Sequence, residues 1–318
     1  MPTTRRAVID VGTNSVKLLV ADVSGRDVAP VFEDGNQTRL GEGSYETHKL
    51  TTAAIARTAA AAGECAALAR KHGATTVRVF ATSAARDAAN SRDLVLAIEQ
   101  SCGLKLEIIS GAQEALWTFQ GVQTQSMLVH EPLLMVEVGG GSTQFIFGQR
   151  DEIHFRESFP LGAVRLMEQF PNGDPPTPAA LNSCRAWLAE FLAEHVTPTL
   201  VPALRREEQQ SARRRAVNLV AVGGTATVLA RMAQGMDDWD REKIEAARLS
   251  RDELRGWVER LWSLPLAERR KIRGMPPERA DVILTGAAIY AAVLAALDFA
   301  ELRVSSRGVR FAALLEAN

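Results

Sequence analysis

Residues 9–20 read IDVGTNSVKLLV and residues 136–147 read VEVGGGSTQFIF. Each stretch is an apolar run that ends beside a carboxylate, passes through a turn of glycine and hydroxyl residues, and returns as a second apolar run. Laid over one another they match at a constant offset of 127 residues: Asp10 falls on Glu137, Gly12 on Gly139 and Ser15 on Ser142. Short apolar runs on either side of a glycine turn predict β-hairpins. Acid, glycine, hydroxyl and flanking strands all agree, so the sequence predicts two lobes that begin with the same hairpin.

Working outward, strand and helix signals alternate after each hairpin. Residues 50–72 are Ala-rich, start at Thr51/Thr52 and stop before Gly73, which predicts a helix with both ends punctuated. Residues 77–82 read as a strand, 93–102 as a helix, 106–109 as a strand and 114–123 as a helix. The pattern restarts with strands at 133–138 and 143–148, around the turn Gly139-Gly140-Gly141. Residues 181–195, 251–262 and 279–297 have helical apolar spacing, and 218–222 is a short buried strand ending in Gly223-Gly224-Thr225. Pro-rich residues 171–178 form a loop, because proline removes backbone donors and fixes φ. Residues 207–215 read as a charged, mobile link. A strand at 302–304 and a helix at 309–317 close the chain. The class is α/β.

Bulk composition narrows the function. The chain has 318 residues, 46% apolar and 24% charged, which is globular and long enough for two domains. Lys plus Arg (37) nearly balance Asp plus Glu (38), so no global field draws in polyanions and nucleic acid is not expected as a partner. Cys65, Cys102 and Cys184 form no CxxC pair and read as buried thiols. The five histidines show no HExxH spacing. MPTTRR runs straight into a strand without an export signal, which predicts a cytoplasmic protein. The apolar stretch 282–297 is short and flanked by Asp281 and Asp298, so it reads as a buried helix and no membrane association is expected.

The hairpin turns carry the chemistry. Consecutive N–H groups in a glycine turn make a concave nest for phosphate oxygens, because glycine permits the backbone angles and the close approach. Thr13, Ser15, Ser142 and Thr143 add hydroxyl donors. A hairpin whose glycines serve only the turn is the plainer alternative, and the aligned pair argues against it. A third turn, from Gly223, follows a strand and opens a helix, a further place for an anion. Neither GxxxxGK[ST] nor GxGxxG occurs. The arginine runs at 205–206, 213–215 and 269–271 read as solvated faces.

IDVGTNSVKLLV, TRLGEG, FATSAARDAAN, IISGAQEAL, VEVGGGSTQ, PLGAVRL, VGGTATVL and RADVILTGA follow one another in this order. Together they resemble the exopolyphosphatase/guanosine pentaphosphate phosphatase (Ppx/GppA) family, from about residue 7 to about residue 313. The resemblance implies an actin/hexokinase/Hsp70-like (ribonuclease H-like) fold of duplicated βββαβαβα lobes with an interlobe cleft. The expected division is 1–123 plus 299–318 for the first lobe and 124–298, with added helices, for the second. It further implies Mg²⁺ or another divalent cation, a homodimer, and release of terminal phosphate from polyphosphate or guanosine pentaphosphate. Position by position, Asp10 and Glu137 would face the cation, and Glu114 would orient or deprotonate the attacking water. Gly12, Thr13, Asn14 and Ser15 of the first turn, Gly139, Gly140, Gly141, Ser142 and Thr143 of the second, and Gly223, Gly224 and Thr225 of the third would cradle phosphates. Lys17, Arg39 and Arg86 would pair with phosphate oxygens, although Arg86 has an alternative surface partner in Asp87 or Asp93.

The chain departs from the family's DxGGGSTE at two positions, with Glu137 for Asp and Gln144 for Glu, and Gln113 replaces the usual Glu before Glu114. Gln144, the second position assigned to catalysis, can hold a water or a phosphate but cannot accept a proton. If the lost carboxylate limits the rate, Gln144→Glu raises it; otherwise position 144 has been re-purposed. The alternative from another class is a non-catalytic sensor that binds polyphosphate or guanosine penta- or tetraphosphate. An ATP-dependent kinase or ATPase of the same fold would need an adenosine pocket that the sequence does not reveal.

Overall fold

A computed structural model of the chain describes residues 2–125, 127–171, 173–210 and 216–316. It divides into two units, Met1–Ser126 with Arg307–Asn318, and Met127–Ser306.

The first unit is built on β1 (Thr4–Val11), β2 (Val16–Ser24), β3 (Asp27–Asn36), β4 (Thr76–Ala81) and β5 (Leu106–Ile108), in the order β3-β2-β1-β4-β5. β1, β2 and β3 form an antiparallel meander, while β4 and β5 run parallel to β1. Side chains of a strand alternate between faces, so a sheet covered on both sides needs apolar residues at every position. Ala7, Ile9 and Val11 enter one core and Val8 the other. The first core is roofed by α2 (Thr52–Lys71) and α4 (Ser91–Cys102), which follow two short helices, α1 (Ser44–Thr47) and α3 (Ser83–Asp87), in the chain. The expected punctuation of α2 is present: the Thr51 side chain accepts from the Ala54 N–H, and Gly73 has φ +77°. The second core holds Trp117 of α5 (Gly111–Val122) and Phe311 of the closing helix Val309–Leu315. These two helices touch closely, since a Cβ on Gly121 would overlap the Gly308 backbone.

The second unit repeats the plan. β6 (Leu133–Val138), β7 (Thr143–Gln149) and β8 (Glu152–Phe159) form the meander, and β9 (Asn218–Val222) and β11 (Glu301–Ser305) run parallel beside it. The short β10 (Arg248–Ser250) adds an antiparallel edge, giving β10-β11-β9-β6-β7-β8. Its helices are α6 (Ala163–Gln169), α7 (Pro178–Phe191), α8 (Thr197–Gln210), α9 (Gly224–Gln234), α10 (Arg241–Ala246), α11 (Arg251–Ser263), α12 (Leu266–Arg269) and α13 (Ile283–Ala296). One π-helical turn, Leu192–Val196, joins α7 to α8.

The duplication extends below the level of topology. Asp10 pairs across the first hairpin with Lys17, and Glu137 across the second with Gln144. Gly12 N–H donates to Ser15 O at 3.0 Å, and Gly139 N–H donates to Ser142 O at 2.9 Å. The pairing of the second and third strands even shifts register at the equivalent place, opposite Val20/Ala21 and opposite Phe147/Gly148, with the extra residue in the third strand each time. A bulge is a specific structural device rather than a random defect, so its recurrence marks both units as copies of one motif. The two meanders with parallel strands at their sides are the actin-like arrangement.

Four expectations are corrected. Residues 299–306 belong to the second unit, because β11 hydrogen-bonds to β9. Thr124 goes with the first unit, where its carbonyl accepts from Arg307 Nη1 at 3.0 Å. Residues 207–210 end α8 rather than forming a link, and 211–215, with the run 213–215, lie outside the described residues. Arg269 is no solvated cation: it is 4% exposed and lies 3.7 Å from the Asp174 carboxylate. All three cysteines are buried and free, and burial pushes Cys65 and Cys184 up to about 12, which leaves them inert. Among the described residues no helix is long and apolar enough to cross a membrane.

Candidate functional site

In the first unit the carboxyl ends of β1, β4 and β5 open onto Gly12–Ser15, Thr82–Arg86 and Ile109–Glu114, the customary place for ligands on parallel strands. The turn Gly12–Ser15 spends its carbonyls on its own support. Thr13 O accepts from Gly41 N–H at 2.8 Å and Asn14 O from Arg39 N–H at 3.1 Å. Gly41 is required there, because a Cβ would overlap the Thr13 methyl. The N–H groups of Thr13, Asn14 and Ser15 have no acceptor among the described residues, although all three residues are buried. Consecutive N–H groups left without a protein acceptor in a glycine turn are the arrangement that suits oxygens of an anion.

The second turn does the same with other parts. Gly139 O accepts from Ala163 N–H at 2.9 Å, Gly140 O from Val164 N–H at 2.8 Å, and Gly141 O from Arg165 Nε at 2.9 Å. The loop before α6 can come this close because residue 162 is glycine; a Cβ there would overlap Gly140. Thr143 Oγ1 donates to Leu161 O, so this hydroxyl is committed to the scaffold. With the carbonyls tied back, the N–H groups of Gly140, Gly141 and Ser142 are left without acceptors among the described residues.

The third turn lies beside the second. Gly223, at φ +90°, packs on Glu137, whose Oε1 would be 3.4 Å from a Cβ at 223. Gly224 opens α9, and the Arg279 guanidinium lies so close to it that a Cβ would overlap the side chain. Burial holds the Arg279 pKa below its ordinary value, against the opposing pull of Glu278 and Asp281. A half-buried cation at the positive end of a helix is a combination that an anion stabilises. Arg279 was absent from the sequence-based set. It stands first in the RADVILTGA motif, and no periodicity could have shown that it folds back onto Gly224.

Glu114 is buried in the first turn of α5, whose cap Ser110 accepts from Gln113 N–H. Arg86 Nη1 donates to Glu114 Oε2 at 3.1 Å and to Ile109 O at 3.0 Å, whereas its Nε is 4.0 Å from Asp87. The main partner of Arg86 is therefore the candidate base, and the expected surface pair is secondary. Asp10 is buried, and desolvation raises its pKa, with Lys17 and Arg310 acting in the opposite direction. Lys17 thus faces Asp10 across the hairpin. Arg39, at φ +50°, is anchored to the first turn by its backbone.

Gln144 is fully buried. Its Nε2 donates to Ser142 Oγ at 2.8 Å and to Ser158 Oγ at 3.1 Å, while Oε1 has no partner among the described residues. The Ser142 oxygen accepts from the amide and its hydroxyl donates to nothing among the described residues, which leaves the proton for a ligand. Within its own unit each of Asp10 and Glu137 stands beside a glycine turn as a hard oxygen donor, the ligand type that suits Mg²⁺ completed by phosphate oxygens. Among the described residues no three His, Cys, Asp or Glu side chains gather as an all-protein cage.

A duplicated meander with donor-lined turns at its strand ends defines a protein of the actin-like fold. The model of the Ppx/GppA phosphatase family matches residues 19–317, and the chain belongs to that family. It is 35% identical over 299 residues to exopolyphosphatase 2 of Mycobacterium tuberculosis, covering 91% of this chain and 89% of that one. Among solved structures it resembles the Ppx/GppA protein of Aquifex aeolicus, with 28% identity, TM-score 0.78, and coverage of 99% and 97% of the two chains. An exopolyphosphatase from Cytophaga hutchinsonii is also similar, with 26% identity, TM-score 0.83 and 98% and 96% coverage.

Proposed function

We propose that this chain is an exopolyphosphatase, releasing terminal phosphate from inorganic polyphosphate, with guanosine pentaphosphate as a second substrate. The observation that carries the reading is the pair of repeated turns whose carbonyls are tied back and whose N–H groups are left for oxygens. Relatives with long matches carry the name exopolyphosphatase, which selects polyphosphate among phosphate compounds. The turns neutralise and orient the phosphates, Ser142 adds a hydroxyl donor, and Arg279 adds charge beside the third turn. Glu114 takes the proton of the attacking water, and Arg86 holds its carboxylate in place. A divalent cation would supply charge neutralisation for the transferring group, with Asp10 of the first unit and Glu137 of the second as the carboxylates that would serve it alongside phosphate oxygens. Little further chemistry is needed, since positioning and electrostatics dominate phosphoryl transfer. A homodimer and a cytoplasmic location complete the proposal, on the resemblance to the family.

Gln144 supports a second reading, a sensor that binds polyphosphate or guanosine tetra- or pentaphosphate without turnover, because an amide stands where the family has a carboxylate. Phosphate release from polyphosphate, guanosine pentaphosphate and ATP, measured with Mg²⁺ on the purified chain, separates the two. Release from polyphosphate supports the enzyme; tight binding with no release from any of the three supports the sensor.

A further inference from the structure

The helix α13 is apolar along its whole length except for two hydroxyl side chains, Thr285 and Tyr290, and both are fully buried. Tyr290 OH lies 2.6 Å from Val222 O and 3.2 Å from Val136 O, and it accepts from Val138 N–H at 3.3 Å. Val138 and Val222 are the last residues of β6 and β9, directly before the second and third glycine turns. The β6–β9 ladder ends at the pair Glu137 and Val222, where the two strands part toward separate turns. At this fork the ladder no longer supplies partners, and the phenol fills the gap with one donor and one acceptor. Five residues earlier on the helix, Thr285 Oγ1 donates to Ala163 O at 2.7 Å, and Ala163 N–H is the group that ties back Gly139 O. Between them Gly286 packs on the third turn, where a Cβ would come within 2.6 Å of Thr225 Oγ1.

We propose that Tyr290, aided by Thr285, is a positioning residue that fixes the spacing of the glycine turns 139–143 and 223–225 and so sets the affinity for phosphate. This inference rests on the reading of those turns as phosphate cradles. Their N–H groups can converge on oxygens only while Val138 and Val222 keep their separation, and the hydroxyl is what holds both. Burial raises the phenol's pKa, so it remains a neutral donor over any working pH. The substitution Tyr290→Phe therefore leaves the shape of the pH profile unaltered.

The test uses the full chain and compares Tyr290→Phe with Trp262→Phe. Trp262 Nε1 donates to Leu284 O at 3.1 Å, so this control removes a buried hydrogen bond to the same helix that involves no residue of either turn. Steady-state release from polyphosphate is measured together with calorimetric binding of inorganic tripolyphosphate. Tyr290→Phe is expected to raise KM and the tripolyphosphate Kd about tenfold while kcat changes less than about threefold. Trp262→Phe lowers Tm yet keeps KM within about twofold of wild type. An unchanged KM and Kd in Tyr290→Phe, or an equal rise in the control, overturns the proposal. Should Tyr290→Phe fail to fold, Thr285→Val decides in its place, with KM and Kd raised about threefold in support and unchanged values against. Wild type that binds without turnover is judged on Kd alone; wild type that binds no tripolyphosphate refutes the cradle reading together with this inference.

Discussion

Ser142 shows how a single hydrogen-bond direction shapes the site. Its oxygen accepts from Gln144 Nε2, which leaves the hydroxyl proton for phosphate. A carboxylate at 144 would reverse the bond and draw that proton to itself, and it would place a charge in a fully buried position. Gln144→Glu is thus expected to reduce the rate of phosphate release by about 100-fold, the scale of losing one positioned donor. A faster variant would show instead that the missing carboxylate limits the reaction. Asp10 illustrates a cost carried for function. Desolvation raises its pKa, so the folded chain keeps the proton to higher pH than the unfolded chain does. Stability therefore falls as pH rises from the usual carboxylate range through the raised pKa, and the ionised form is destabilising at neutral pH. The substitution Asp10→Asn should raise Tm at pH 7 and flatten its pH dependence below that, while abolishing turnover. Thermal melts across pH 4 to 8, about 1 unit apart, check the sign.

At the scale of elements, the second turn depends on α6 arriving from a glycine. Gly162→Ala places a methyl on the Gly140 backbone and forces the loop away from the carbonyls it ties back. We expect phosphate binding to weaken at least about tenfold, because donors moved by an ångström lose their convergence, with titration calorimetry as the measurement. The helix α11 offers a contrast. Its capping box joins Ser250 and Glu253, and Ser250→Ala should cost about 1 kcal/mol of stability with no change in KM. Helices with two clear ends, such as α2 and α11, were legible because caps and apolar spacing speak together. The third strands of both meanders were not. β3 contains Pro30 and a run of acids, and β8 is exposed at most alternate positions, so neither has the apolar pattern of its neighbours. As edge strands they bury only Val28 of β3 and Phe155 and Phe159 of β8, and the rest is held by pairing to β2 and β7, which hydropathy does not record.

For the whole molecule, the repeat was readable because the same local problem is solved twice with the same residues. Asp10 and Glu137, Gly12 and Gly139, and Ser15 and Ser142 occupy matching places in sequence and in space. What escaped the sequence were long-range closures: Arg279 on Gly224, Tyr290 at the strand fork, and β11 joining β9. Each links segments far apart in the chain, where no local signal records the meeting. The absence of a carboxylate cage among the described residues also has a consequence for the intact protein. A chelator should stop turnover while shifting Tm by less than about 2 °C, since so little of the fold rests on the ion.

The most direct test compares wild type with Glu114→Gln on long-chain polyphosphate with Mg²⁺, following both released phosphate and Kd. Glutamine can still accept from Arg86 but cannot take a proton, so release should fall by at least about 100-fold while Kd changes less than about threefold. Unimpaired release from Glu114→Gln, or binding by wild type with no release at all, would contradict the assignment of Glu114 as the base of a phosphohydrolase.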